Sequence, residues 1–262
     1  MVSLPIPDKR SVVTYEEIQY ESSSIGPLVE TLTGGRIPSS HRAHIDPDIV
    51  RDNLPRQSGW RPIFGQAGIA QGHLHRNNVG IGDIFLFFGR FRGVETSNGT
   101  YRWIPGEPAR HVLWGWFQVA EILPITKATS AQYPWAHYHP HFHRANESNN
   151  VIYLARNDLQ IDRVPDTALP GAGAFQRFST SLQLTGPNTE KTSIWELPKW
   201  FYPDGYRTPL TYHADPSRWN RVGSRTELRS MGRGQEFVLD CEEYPEAIDW
   251  TFGLIQGHEN RC

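Results

Sequence analysis

Residues 82–88, Gly-Asp-Ile-Phe-Leu-Phe-Phe, set five apolar side chains in a row behind a turn dipeptide. Residues 111–123, His-Val-Leu-Trp-Gly-Trp-Phe-Gln-Val-Ala-Glu-Ile-Leu, form a second and longer apolar run. Short continuous runs of this kind, rich in aromatic and β-branched residues, read as buried strands. The second should bend at Gly115, where no side chain resists the kink. Between the runs, Ser97-Asn-Gly99 is a polar turn joining two hairpin strands, with Tyr101-Arg-Trp103 on the return. Val151–Ala155, introduced by Asn149-Asn150, is a further strand, and 181–184, 193–195 and 235–240 are weaker ones. With 23 Gly and 20 Pro in 262 residues, turns and long loops are frequent. The expected fold is therefore α+β and β-rich, not a helical bundle.

Helices are fewer. Residues 65–78 read as a short helix in which Gln66, Ala70 and His73 share one face, beside a neighbouring face of Ala67, Gln71 and Leu74. Asp46 and Pro47 read as the N-cap and first residue of another helix, with Ile49, Val50 and Leu54 behind them. Pro245–Gln256 repeats Ile248, Phe252 and Ile255 at helical spacing, which predicts a C-terminal helix. Residues 1–40 read as extended chain with one short element, Tyr15–Tyr20, that fits a strand or a helical turn equally. No internal repeat or long linker divides the chain, so residues 1–262 are expected to form one domain.

Charge and cysteine content narrow the function. The formal net charge of -2, from 26 basic and 28 acidic residues, excludes a protein that grips nucleic acid by bulk charge. A hydrophobic fraction of 38% excludes a disordered acidic chain. Four Lys leave 22 Arg, a bias that fits either recognition chemistry or Arg-rich codon usage, so the local pair Arg90 and Arg92 matters more than the total. The first residues lack the pattern of a secretory signal, and no run reaches the ~18 apolar residues of a membrane span. Cys241 and Cys262 cannot build a disulfide framework or a four-Cys zinc site. A cytoplasmic protein without membrane attachment is expected.

Several residue groups carry chemistry. His137-Tyr-His-Pro-His-Phe-His143 places four of 11 histidines at alternate positions, which in extended chain face one side. Imidazole is the commonest transition-metal ligand, so a divalent metal on His139 and His141 is the one cofactor to consider. Against it, Pro140 confines the segment to an edge or loop and no acidic residue alternates with the histidines. His44 and Asp46 are an acid–base candidate pair, although the helix-cap role accounts for Asp46 without catalysis. Tyr212-His-Ala-Asp215 carries the same ambiguity. Nucleophile elbow, phosphate loop and dinucleotide fingerprint are absent from the sequence. Aromatic and amide residues then point to base recognition. Trp60, Arg61, Phe64, Gln66, Gln71, His73, Trp114 and Trp116 lie near the expected helix and strands. Arg233, Gln235 and Glu236 precede the last apolar run. A base stacked on an aromatic gains about 1–3 kcal/mol, and Gln or Arg pairs with its edge. Trp114 and Trp116 read more simply as core.

Taken together, Gly59–Leu74, Val79–Gly89, His44–Asp48, His111–Leu123 and Arg233–Asp240 resemble the nucleotide modification associated domain family, third type. The resemblance spans nearly the whole chain, and Trp60–Gly89 is its most specific block. It implies a place in a DNA base-modification system of bacteria or phages. By position it marks His44, Asp46, Trp60, Arg61, Gln66, Gln71, His73, His139, His141, Arg233, Gln235 and Glu236 as the polar pattern. Members of the family open with an additional Gly- and Ser-containing strand, so the resemblance also implies that a strand before Met1 is missing here. A shorter likeness, over Gly82–Phe88 and Trp114–Ile122, is to the PUA-type barrels that include EVE and ASCH domains. It implies a PUA-like barrel or strongly bent sheet at about residues 59–160.

The expected function is recognition of a nucleotide or a modified nucleic-acid base, with DNA-derived ligands and modification-system proteins as partners. Trp60 or Phe64 would stack on the base, Arg61, Gln66 and Gln71 would read its edge, and Arg90 or Arg92 would meet phosphate. His73, Arg233 and Gln235 complete the expected binding set, and His44, Asp46 and Glu236 are the catalytic candidates. The alternatives are an enzyme acting on a nucleotide or modified base, with metal on His139 and His141, and a scaffold without pocket chemistry.

Overall fold

The run at 111–123 becomes the longest strand of the protein, and the sheet is built around it. A computed structural model describes residues 1–144, 147–161, 168–232 and 234–259. In chain order its elements are β1 (Ile6–Pro7), β2 (Gln19–Tyr20), β3 (Ser23–Ser24), α1 (Gly26–Leu32), β4 (Ala43–His44), β5 (Ile63–Gln66), α2 (Gly68–Arg76), β6 (Ile84–Phe91), β7 (Val94–Ser97), β8 (Thr100–Trp103), β9 (Arg110–Pro124), α3 (Lys127–Gln132), β10 (Val151–Ala155), β11 (Ala172–Ala174), β12 (Ile194–Pro198), β13 (Trp219–Val222), β14 (Arg225–Arg229) and α4 (Glu246–Glu259). The first half of β9 pairs antiparallel with β6 and β11, its second half pairs with β10, and β10 pairs with β5. The result is a mixed α and β fold around a strongly curled half-barrel sheet.

The curl has local causes. Register passes from Phe87↔Gly115 to Phe88↔Leu113, leaving Trp114 bulged, and a second shift falls at Leu154/Ala155. Each bulge adds an unpaired residue and tightens the right-handed twist. The bend falls beside Gly115, where a Cβ would stand 2.5 Å from Ile49 Cδ1 and 2.9 Å from the Gly173 carbonyl. The strand pattern of the apolar runs is thus realised, with the turn at Asn98-Gly99 closing the β7–β8 hairpin.

Burial divides into packed clusters. Phe64, Leu74, Phe117, Val119 and Tyr153 pack between the sheet and α2. Val112, Trp116, Trp195, Leu228 and Ile255 join the sheet to the β12–β14–β13 sheet and α4. Trp60, Ile63, Trp135 and Ile152 form a third group, and Tyr15, Ile18, Val29 and Ile45 hold the N-terminal segments together.

Four local expectations are corrected. Asp46 caps no helix: its carboxylate takes the Gly65 N–H at 2.9 Å, and the chain runs on to a bridge between Asp48 and Ile63. Only a single 3-10 turn follows, at Arg51–Asn53. The helix expected from residue 65 starts at Gly68, because Ile63–Gln66 is claimed by the ladder with β10. Gln66, Ala70 and His73 therefore do not share a helix face. Residues 180–182 form a 3-10 turn capped by Ser179, leaving Gln183 a lone bridge to Val112. Residues 235–240 make no ladder; instead the Val238 carbonyl accepts the Thr211 N–H and the Val238 N–H donates to the Thr211 hydroxyl. The Tyr15–Tyr20 segment is a turn running into β2, and the C-terminal helix is α4.

Candidate functional site

β5 is the last strand of its sheet, and an edge strand presents backbone donors that nothing in the sheet takes up. Along this edge opens a cavity of about 990 Å³. Phe64, Gly65 and Gln66 of β5, Trp114 of β9, the segment His44–Pro47 and His141 and Arg144 all line it. Its N-terminal wall comes from residues 1–6, with β1 pairing β4 and so placing His44.

The histidine-rich segment is not extended. Pro134–Ala136 and Pro140–His143 are 3-10 turns, so the four imidazoles do not share a face. His137 and His143 are exposed, while His139 and His141 are buried against β5. Gly65 makes this approach feasible: a Cβ there would overlap the His141 ring, reaching 2.7 Å from Nε2. Three imidazoles surround Asp46. His141 Nε2 is 3.2 Å and His44 Nε2 3.4 Å from Oδ2, and His139 Nε2 is 3.4 Å from Oδ1. His44 Nδ1 in turn meets Asp8 Oδ2 at 2.9 Å, and His141 Nδ1 meets Asn150 Oδ1 at 2.6 Å.

The electrostatics follow from this ring. Burial pushes the Asp46 carboxyl up, but the imidazoles of His139, His141 and His44 outweigh it and hold the group well below the usual carboxylate range. Asp8 is likewise held down: burial opposes, and the hydrogen bonds from His44 and the Arg10 backbone prevail. Burial lowers the His44 imidazole, yet Asp46 and Asp8 raise it above its ordinary value overall. His139, fully buried, is lowered by desolvation against the pull of Asp46. Three ligand atoms, one each from His44, Asp46 and His141, lie within 4.8 Å of one another, so these residues could hold a metal ion.

The other sequence-derived residues are dispersed. Phe64 and Gln66 line the cavity, Phe64 stacking on Tyr153 with centroids 5.7 Å apart. Trp60 is 5% exposed outside the cavity wall; its indole N–H donates to Tyr138 Oη at 2.8 Å, and the Arg56 guanidinium lies 4.3 Å over its ring. Arg61 pairs with Glu121 and donates to the Ala155 carbonyl. Gln71 is buried and accepts the Tyr153 hydroxyl at 2.7 Å. His73 stacks on Tyr212 at 4.3 Å beside Thr211, with Glu236 near enough to act on its charge. Gln235 is exposed, and Arg233 lies outside the described residues. Arg90 and Arg92 line a separate cavity of about 400 Å³ with Glu107 and Glu190. His213 is enclosed by the Thr211 carbonyl and Met231 N–H, and Asp215 caps a 3-10 turn.

Three cavity or supporting residues carried no signal of their own in the sequence, and a fourth, Trp114, carried one that the core reading outweighed. Asp8 follows a proline-rich start, Asn150 reads as a turn residue, and Arg144 merely follows His143. Trp114 reads as core, yet it lines the cavity and stacks on Phe87 at 5.7 Å.

A curled sheet whose edge strand backs a cavity ringed by imidazoles and carboxylates defines an α+β pocket protein. The site and the sheet together fall within residues 1–240, the span matched by the family model for nucleotide modification associated domain 3. The chain belongs to that family. No curated protein and no solved structure matches it. Among the described residues, no helix is long and apolar enough to cross a membrane.

Proposed function

We propose that the cavity along β5 receives a nucleic-acid base, free as a nucleoside or extruded from DNA, and that the protein recognises a modified base within a bacterial or phage DNA-modification or defence system. The observation that carries this reading is the lining itself. Aromatic rings (Phe64, Trp114), an amide (Gln66) and an imidazole (His141) meet in one space of about 990 Å³. Ligand pockets of ~300–1,000 Å³ with few converging polar groups are the ordinary size for such molecules. Membership of a nucleotide-modification family supports it.

The charge of the wall selects among nucleotides. Among the described lining residues, Arg144 is the one Arg or Lys, against Glu21, Asp46, Asp52 and Glu147. Arg144 is itself paired with Glu147 at 3.3 Å. A triphosphate would meet an acidic wall, whereas a base or nucleoside carries no opposing charge. Extruding a base costs a few kcal/mol, which stacking and edge hydrogen bonds offset.

Calorimetric titration with modified and unmodified nucleosides and with nucleoside triphosphates tests the reading. Nucleosides should bind more tightly than triphosphates. Trp114→Ala should weaken binding by about 5- to 150-fold, the equivalent of ~1–3 kcal/mol of stacking. Gln66→Ala should weaken it and alter base preference, while Arg92→Ala should leave it unchanged. Absence of nucleoside binding at millimolar concentration, or indifference to both cavity substitutions, would overturn the assignment.

An enzyme acting on the same base is the second reading, favoured by the imidazole ring around Asp46 at the cavity wall.

A further inference from the structure

The hydrogen bonds around His44 and His141 fix where their protons sit. Asp8 Oδ2 lies 2.9 Å and the Arg144 guanidinium 3.3 Å from His44 Nδ1; Nδ1 donates to the carboxylate, which leaves Nε2, facing Asp46, to carry a proton or a metal ion. Asn150 Oδ1 lies 2.6 Å from His141 Nδ1. The Asn150 amide cannot be reversed, because its Nδ2 donates to the carbonyls of His141 and Arg144 at 2.9 and 3.3 Å. His141 Nδ1 therefore donates too, which leaves its Nε2 as the atom that faces Asp46. Both Nε2 atoms converge on one carboxylate oxygen, Asp46 Oδ2, at 3.4 and 3.2 Å. The other oxygen, Oδ1, is taken by the Gly65 N–H.

Three such atoms facing one another are held together only by a proton or a metal ion among them, and the two alternatives compete for the same place. Outer acceptors that pin each Nδ1–H are the support that metal-bound imidazoles require. We propose that His44 Nε2, His141 Nε2 and Asp46 Oδ2 bind one divalent first-row transition-metal ion whose remaining positions open into the cavity. Donors bonded at about 2.0–2.2 Å to one ion stand about 3.0–3.4 Å apart, close to the two separations found here. Two imidazoles with one carboxylate suit Zn²⁺, Fe²⁺ or Mn²⁺ and not the all-oxygen shells of Ca²⁺. His139, 0% exposed and with neither ring nitrogen hydrogen-bonded, closes the far side of Asp46. The acidic wall of Glu21, Asp52 and Glu147 favours a cation on the near side.

The ion would share the cavity with the proposed base, so binding is measured with metal alone. Chelator-stripped protein is titrated with Zn²⁺, Mn²⁺ and, without oxygen, Fe²⁺, and metal retained after gel filtration is counted. One equivalent of at least one ion is expected. His141→Ala and Asp46→Asn should weaken it about 100-fold or more, and the exposed neighbours His137→Ala and His143→Ala should not. Asp8→Asn touches no ion but releases the His44 tautomer, and should weaken binding by about 10- to 100-fold. That variant keeps the test decisive if a ligand variant fails to fold. Wild-type protein that retains none of the three ions overturns the proposal. So does undiminished binding by folded His44→Ala and His141→Ala. A negative metal result leaves the base pocket standing, and a negative nucleoside result leaves the ion.

Discussion

Two buried histidines outside the cavity are held in single neutral states by their partners. His111 Nδ1 accepts the indole N–H of Trp195 at 2.9 Å. His213 Nδ1 donates to the Thr211 carbonyl at 2.8 Å while its Nε2 accepts the Met231 N–H at 3.1 Å. A second proton on either ring would set donor against donor. Burial also lowers both pKa values from the ordinary 6.5, helped by Arg90 at His111 and by Arg218 at His213. The unfolded chain then binds the extra protons first, so stability is complete above pH 6.5 and declines as pH falls below it. His73 and His139 act in the same direction and His44 in the opposite one. The urea midpoint should drop between pH 7.5 and pH 5.5, with the His111 and His213 ring resonances titrating at lower pH than a free imidazole by NMR. A midpoint that rises on acidification would contradict this. Gly65 sets a second residue-scale expectation, because a Cβ there overlaps the His141 ring. Gly65→Ala should cost about 1–3 kcal/mol of stability by overpacking and displace His141. Denaturant melts and a crystal structure of the variant would check both.

At the scale of elements, the legible parts are those whose residues are contiguous. β6 and β9 read directly because burial on both faces demands an unbroken apolar run, and the β7–β8 turn reads because Asn98 and Gly99 both take positive φ. Segments decided by distant partners misread. Asp46 has the local chemistry of a helix cap, but its oxygens are committed to Gly65, to the neighbouring His44, and to His139 and His141, which sequence proximity does not reveal. The histidine tract was legible as metal-competent and illegible as to geometry: two 3-10 turns bring in His141 and leave His137 and His143 outside. Its missing carboxylate comes from Asp46, in the segment that bridges to β5 through Asp48 and Ile63. The aromatic signal misplaced Trp60, whose ring is covered by Arg56 within a packed cluster, and undervalued Trp114.

Across the whole molecule, β9 is joined to three other strands, and its side chains enter two packed clusters. Phe117→Ala should therefore cost about 3–5 kcal/mol, read as a shift of the entire unfolding transition and not of one part of it. The edge strand that carries the site is held differently: on the cavity side, the Gly65 N–H is satisfied by a side-chain carboxylate. That asymmetry has a consequence for how the protein breathes. Amide hydrogens of β9, such as those of Phe117 and Val119, should exchange with solvent deuterium only through global unfolding. The Gly65 amide should exchange by small local openings, at a rate set by how long Asp46 stays in place. The difference between the two rates measures the free-energy window in which the cavity can open to admit a ligand while the sheet behind it remains closed.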